Sequence, residues 1–391
     1  MLRRSFLARS AAAFAAPLAA PLARPGLARA EASRVLKFIP QADVTILDPI
    51  WTTAYVTRNH GFMIFDTLYG FDKAYRPQPQ MVAGHTVESD GRLWTLKLRD
   101  GLAWHDGERV LARDCVASIE RWGKRDPYGK TLMAYTDELS AADDKTIVFR
   151  LKKPFALLPN ALGKPGSNFC AMMPERLAKT DPFKQITEMV GSGPFKWNAR
   201  ERVSGSLAVY EKNTAYRPRE GGTPEWTAGP KLVNFDRVEW HVIPDASTKA
   251  AAMQSREMDW WEDPTNDMLP LLQAAGGIAV RVIDPTGLMA CMRLNELWPP
   301  FDNPAIRRAL LKAVNQTDFM IAVAGDEAKM RHVPAGIFTP GTRMASDAGL
   351  DVFTAPRDDA AVKREIAAAG YKGEKVVLLV PTDVTYLNAE A

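Results

Sequence analysis

Asp90-Gly-Arg-Leu-Trp-Thr-Leu-Lys-Leu-Arg-Asp-Gly-Leu-Ala-Trp-His-Asp-Gly107 is the stretch on which the reading of the fold turns. Asp90-Gly91 is a hairpin signal, because the central residues of a tight hairpin turn need positive φ and Asp and Gly tolerate it. Behind the turn Trp94, Leu96 and Leu98 alternate with Thr95, Lys97 and Arg99, the period of a strand with one buried face. Asp106-Gly107 ends the segment with a second turn.

Downstream, Cys115, Ile119 and Trp122 share one helical face, and Ile147, Phe149 and Leu151 alternate again behind the Asp143-Asp144 turn. Upstream, Val35-Leu-Lys-Phe-Ile39 reads as an opening strand. A polar, aromatic turn follows Asp48-Pro49 and carries Thr52, Thr53 and Tyr55, and residues 62–69 then place apolar side chains at helical spacing. Further on, Ser192-Gly-Pro194 leads into Phe195-Lys-Trp197, residues 217–231 form a Gly- and Pro-rich surface loop, and residues 238–243 make a strand. Helices are predicted over 247–256, capped by Asp245 or Ser247, over 303–315, and over 358–369, where Gly370 stops the helix. Residues 376–380 read as a buried strand ended by Pro381. Strands, hairpins and helices mixed over this length predict several α/β domains.

Apolar residues make up 46% of the 391 and charged residues 25%, which excludes disordered and collagen-like classes. No apolar run reaches the eighteen residues a membrane-spanning helix needs. The net charge of +4 sits in the first thirty residues, which hold five arginines and no acid. Without them 45 basic residues face 46 acidic ones, so bulk charge gives no reason to bind nucleic acid. Arg3-Arg4-x-Phe6-Leu7, an alanine-rich stretch and Ala28-Arg29-Ala30 have the layout of an export signal, with residues 1–30 similar to a twin-arginine leader. Cleavage after Ala30 leaves no cysteine at the new N-terminus, so a soluble periplasmic protein without a lipid anchor is expected. Cys115, Cys170 and Cys291 lack metal-site spacing and read as single thiols, with one disulfide among them left open. The five histidines are scattered, so neither a metal nor a cofactor is expected.

Five segments together resemble the family 5 extracellular solute-binding proteins, the receptors of peptide, nickel and related ABC importers. They are Phe65-Asp-Thr-Leu-Tyr69; the Asp90–Gly107 hairpin; Val190-Gly-Ser-Gly-Pro-Phe-Lys196; Val242-Ile-Pro-Asp-Ala246 with Ala250-Ala-Ala-Met-Gln-Ser-Arg-Glu-Met-Asp259; and Leu294-Asn295 with Pro299-Pro-Phe-Asp-Asn-Pro-Ala-Ile-Arg-Arg-Ala309. The resemblance implies an α/β, periplasmic-binding-protein-like type II fold, two lobes joined by a hinge plus an inserted α+β domain. It places the first lobe at 31–70 and 186–268, the inserted domain at 71–185, and the start of a second ligand lobe at 269–391. Family members continue well past the strand at 376–380. A chain ending at Ala391 is therefore expected to have an incomplete second lobe with exposed apolar strand edges, as a fragment or a truncated gene product.

The implied activity is capture of a peptide or other small polar solute by hinge closure and delivery to an inner-membrane ABC permease, by a monomer and without catalysis. The candidate ligand-binding residues are Thr53, Tyr55, Trp260, Trp261, Glu262, Arg293, Asn295 and Tyr386. Neighbouring strand residues point to opposite faces, so at most one of Trp260 and Trp261 lines the cleft. Glu262 either pairs with a cationic solute or is a solvated loop carboxylate. Arg293 and Asn295 fall on the first strand after the crossover, with a structural role open for Asn295. His105, inside the hairpin, reads as structural. Peptide-binding relatives often hold the peptide carboxylate with an arginine after the strand matching 376–380; that loop here has Tyr386 and no arginine. The competing reading is a secreted hydrolase on a small polar substrate, but no Gly-x-Ser-x-Gly, Ser-x-x-Lys set or His-Glu-x-x-His occurs.

Overall fold

A computed structural model describes residues 34–380 and 385–389, with side chains omitted at 385 and 386. The export signal read at 1–30 lies outside the described residues. Two sheets organise the first two thirds. β1 (Val35–Ile39) opens the chain, and α1 (Tyr55–Ile64) follows a loop. β2 (Tyr69–Phe71) and β3 (Pro77–Pro79) make a short antiparallel ribbon. β4 (Val82–Glu88) and β5 (Leu93–Leu98) then form the hairpin around Asp90-Gly91, where Gly91 has φ +85°. Trp94, Leu96 and Leu98 are buried on one face, as their alternation requires. α2 (Ala112–Gly123) buries Cys115, Ile119 and Trp122 together. β6 (Thr136–Ala141) and β7 (Thr146–Leu151) complete a four-stranded antiparallel sheet in the order β4-β5-β7-β6.

The second sheet mixes the start of the chain with its middle. β8 (Phe195–Trp197), β9 (Leu207–Lys212), β10 (Arg237–His241) and β11 (Trp260–Trp261) join β1 in the order β11-β1-β10-β9-β8. β1 runs parallel to both of its neighbours. The helix Ala246–Gln254 carries the chain from β10 to β11, and the Asp245 carboxylate caps it by accepting from Thr248 N–H at 2.7 Å.

Two polar devices join the sheets. Asp48, in the loop after β1, accepts from Arg121 of α2 at 2.6 and 3.2 Å, and from the N–H groups of Ile50 (3.2 Å) and Ile186 (3.0 Å). Both side chains are buried. His105 is the second device. Gly191 N–H donates to its Nδ1 at 3.3 Å, which leaves the ring proton on Nε2, facing the Gly193 carbonyl at 3.1 Å. The glycines are required here, because a Cβ at Gly191 or Gly193 would lie 2.1 or 2.6 Å from the Ile64 carbonyl oxygen. His105 thus pins the hairpin segment to the Gly-Ser-Gly-Pro loop.

Three sequence expectations need correction. The helix expected from 62–69 is instead Tyr55–Ile64; Phe65 is extended and donates its N–H back to the Gly61 carbonyl, and the chain then runs into β2. Residues 376–380 are not a strand, and Leu379 is 89% exposed. Arg293 and Asn295 are likewise exposed and outside any strand. The physical reason is shared. A strand requires a neighbour for its N–H and C=O groups, and beyond β11 the described residues form only helices and loops. There the helices Pro304–Leu311 and Asp359–Ala368 pack on one another. Both are capped, by the Asn303 and Asp358 side chains. Cys115 and Cys170 are buried free thiols in one core, and Cys291 is exposed and free.

Burial holds the His105 imidazole down at about 4, and burial, then the Arg202 charge, hold that of His60 at about 3. Both lie below the ordinary 6.5. The unfolded chain therefore binds these protons first as pH falls. Stability should be full above pH 6.5 and decline toward pH 4 and below, each histidine adding a slope of about 1.4 kcal/mol per pH unit. We expect His105→Gln to be less stable at pH 7 and to lose about one proton from that slope; denaturant titrations at several pH values measure both. An unchanged slope would show that His105 titrates normally in the fold.

Candidate solute site

Strand order places the site. β1 lies between β11 and β10, and the connections leave it on opposite sides. In open α/β sheets this reversal opens a crevice beyond the carboxyl ends of the strands. Gln41 follows the end of β1, Glu262 and Asp263 follow the end of β11, and Asn59 in the first turns of α1 reaches Glu262.

Phe38 pairs in register with Trp260, and Ile39 with Trp261. Trp261 is 6% exposed and packs with Ile39, Ala250, Ala252, Met258 and Leu272. Trp260 points the other way, 48% exposed, with its ring edge-on to Phe38 at 5.1 Å. Glu262 N–H extends the ladder by donating to the Ile39 carbonyl at 3.0 Å. Its carboxylate is half-buried rather than solvated. Oε2 accepts from Gln41 N–H at 2.9 Å and Oε1 from Asn59 Nδ2 at 2.7 Å. Burial raises its pKa, the neighbouring Asp263 adds to the rise, and the Gln41 bond and the Arg58 charge work against it.

Tyr55 opens α1 half-buried, and the Arg58 guanidinium carbon lies 4.2 Å from its ring centre. Arg58 donates through Nε (3.1 Å) and Nη2 (2.9 Å) to Asn59 Oδ1, so Tyr55, Arg58, Asn59 and Glu262 form one connected group. Thr53 is exposed and its carbonyl accepts from Ser167 Oγ at 2.7 Å. Of the residues named from sequence, Tyr55 and Glu262 are thus brought together, with Trp260 two residues before Glu262 on the same strand face. Trp261 belongs to the core. The Asn295 side chain closes its own turn by accepting from Leu297 N–H at 3.2 Å. The Tyr386 side chain is outside the described residues. Arg58, Asn59 and Gln41 were missed. The i, i+3 spacing of Tyr55 and Arg58 is the signal that could have found the first of them.

A groove of about 310 Å³ lies elsewhere, between α2 and residues 175–182. Its Arg113 and Lys179 both face Glu175, at 3.5 and 2.8 Å. It is a salt-bridged surface rather than an apolar crevice at a strand end. Among the described residues no group of three His, Cys, Asp or Glu is arranged to hold a metal, and no helix is long and apolar enough to cross a membrane.

The chain belongs to the bacterial extracellular solute-binding proteins, family 5, whose family model matches residues 76–391. It is 36% identical to a probable peptide ABC transporter periplasmic-binding protein of Sinorhizobium fredii, over 87% of this chain and 64% of that one. It is 30% identical to a glutathione-binding protein of Pectobacterium atrosepticum, over 72% and 51%. The chain thus spans between half and two thirds of the length of these relatives. Among solved structures it resembles a periplasmic binding protein from A. tumefaciens in complex with agropinic acid (TM-score 0.74, 21% identity, 91% of this chain and 68% of that one). It also resembles one from Helicobacter pylori in complex with the peptide STSA (TM-score 0.69, 24% identity, 86% and 66%). The fold is the α/β, type II fold of these periplasmic binding proteins, and the family's members are binding proteins.

Trp260 and Trp261 separate binding from packing. We expect Trp261→Ala to cost about 3–5 kcal/mol of stability, the usual range for a buried tryptophan. Trp260→Ala should keep a near wild-type unfolding midpoint and weaken solute binding. Denaturant melts and calorimetric titration of both variants measure this, and equal behaviour of the two would contradict the assignment.

Proposed function

We propose that this chain is the substrate-binding component of an ABC importer. In this reading it is exported to the periplasm by the leader at 1–30, captures a peptide or related small polar solute as a soluble monomer, and hands it unaltered to an inner-membrane permease. The first lobe comprises 31–70 and 186–268, the inserted domain 71–185, and the second lobe begins at 269. The solute is held where Trp260, Tyr55, Arg58 and Glu262 converge.

The observation that carries the reading is a hydrogen-bonded polar group of Gln41, Asn59 and Glu262 that follows the half-exposed Trp260 of β11, at the carboxyl edge of the sheet's switch point, in a chain of this family. Such a site orients a solute through a few polar groups and buries it against aromatic surface. The peptide class is supported by the relative named for peptide transport and by the structural neighbour holding a peptide. A hydrolase would need a nucleophile with an activating base. None of Trp260, Tyr55, Arg58 and Glu262 is a nucleophile paired with a base, and the relatives are binding proteins.

Purified full-length protein, denatured and examined by mass spectrometry, tests the reading. We expect a co-purified small solute that raises the melting temperature when added back to emptied protein and is recovered intact, since a ligand of the folded form alone stabilises it. Conversion of that solute into product would overturn the reading in favour of an enzyme. Absence of any melting shift across a peptide and small-solute panel would overturn it as well.

A further inference from the structure

We propose that Tyr75 is a positioning residue for solute retention: its hydroxyl latches the turn at 284–287 to the first part of the chain, and this contact must break before the solute leaves. The latch rests on the solute-binding reading above and deepens it, with Tyr75 in the inserted domain of that reading, Trp226 in its first lobe and the turn in its second.

The Tyr75 and Trp226 rings come from segments tied to one another. Phe71 N–H donates to Thr227 Oγ1 at 2.9 Å, Thr227 N–H to the Phe71 carbonyl at 3.3 Å, and Lys73 N–H to Glu225 Oε2 at 3.1 Å. A Cβ at Gly70 would fall 2.1 Å from the Thr227 carbonyl oxygen, so this approach requires a glycine. In the turn between β2 and β3, the buried Asp72 carboxylate accepts from the N–H groups of Ala74 and Arg76, both at 2.9 Å. It also accepts from Arg76 Nε at 2.9 Å and Gln78 Nε2 at 3.0 Å. These bonds hold Tyr75 at φ +58°, while the partner loop holds Trp226 at φ +43°. Bulky side chains are disfavoured in that region, and glycine would make either turn with less strain. The two rings nevertheless meet edge-on at 4.8 Å, with Trp226 43% exposed. Two strained positions that converge on one aromatic pair point to a role beyond closing their own turns.

Thr286 supplies that role. Tyr75 OH donates to Thr286 Oγ1 at 3.1 Å, and Thr286 Oγ1 donates to Asp284 Oδ1 at 2.6 Å. Each hydroxyl donates once, and the relay ends on a carboxylate. The receiving turn is already shaped: Asp284 Oδ1 accepts from Thr286 N–H at 2.9 Å, and the Asp284 carbonyl accepts from Gly287 N–H at 3.2 Å. His332 Nε2 reaches the Pro285 carbonyl at 3.2 Å from within the same lobe. Every residue of 281–290 is exposed except Thr286, so the half-buried residue of this stretch is the one that meets Tyr75. A contact between the lobes favours the arrangement that makes it, and a solute enclosed there leaves only after the lobes part. One neutral hydrogen bond is weak enough to break in each cycle and strong enough to change the rate of release severalfold.

Stopped-flow tryptophan fluorescence of the full chain with tri-alanine, together with amide exchange over 284–290, tests the latch. Tyr75→Phe keeps the ring and the backbone conformation and removes only the hydroxyl. Tri-alanine should dissociate from it about three- to tenfold faster, associate at the wild-type rate, and leave the 284–290 amides exchanging faster. Thr286→Val removes the bond from the other side and should also release faster. The double variant should release no faster than Thr286→Val alone, because the two hydroxyls serve one bond. Two separate structural roles would not show that coupling. Melting temperatures control for folding, and Thr286→Val carries the test if Tyr75→Phe does not fold. Wild-type dissociation in both single variants, additive effects in the double variant, or faster exchange without faster release would overturn the latch and leave the receptor reading standing. Absence of tri-alanine binding by wild type would overturn the peptide reading and the retention role together.

Discussion

Four hydrogen bonds converge on the two oxygens of Asp48, and the rest of the architecture depends on them. Arg121 reaches it from α2, Ile186 N–H from the chain's return to the first sheet, and Ile50 N–H from its own turn. Three segments distant in sequence meet at one buried carboxylate. Arg121 also donates to the carbonyls of Thr180 and Lys184, so its charge is spread over several acceptors. A buried ion pair of this kind is not in itself a large net gain, because both charges must leave water. What it supplies is uniqueness. With either partner missing, the other is stranded without water, so arrangements of the two sheets that separate the pair are strongly disfavoured.

The consequence for the site is direct. Asp48 anchors the loop that leads from β1 into α1, and Thr57 Oγ1 ties α1 back to that loop through the Ile46 carbonyl at 2.8 Å. α1 in turn presents Tyr55, Arg58 and Asn59 to the edge where Glu262 leaves β11. Glu262, through Asn59, and Asp48, through the loop that Thr57 holds, therefore act on neighbouring residues in the first half of the same helix. The His105 clamp works in the same sense at the other side of the Gly191–Gly193 loop, whose glycines let the backbone come against Ile64 at the end of α1.

Much of this was legible in the residues, and the exceptions have physical causes. Period-2 alternation found β5 and β7, the 3.6-residue spacing of Cys115, Ile119 and Trp122 found α2, and Asp245, Asn303 and Asp358 marked helix starts that the structure shows capped. The start of α1 carried no such mark. Ala54 cannot cap, so the aromatic turn before it hid the first turn of the helix, and with it Arg58 and Asn59. Glu262 was visible as a residue but not as a partner of Gln41 and Asn59, because contacts across some two hundred positions leave no local pattern. Residues 376–380 have the composition of a strand. Composition cannot supply the neighbour that pairing requires, and large apolar side chains such as Ile337 and Leu379 stand in solvent across the same region.

The account holds that a single buried pair sets the sheets, and through them the site. Equilibrium denaturation of Arg121→Ala, followed together with amide exchange in α1, tests this most directly. The account predicts a loss of about 3–5 kcal/mol, the range for stranding one member of a buried pair. It also predicts faster exchange in α1, although Arg121 lies on a different helix. Wild-type stability with unchanged exchange in α1 would contradict it.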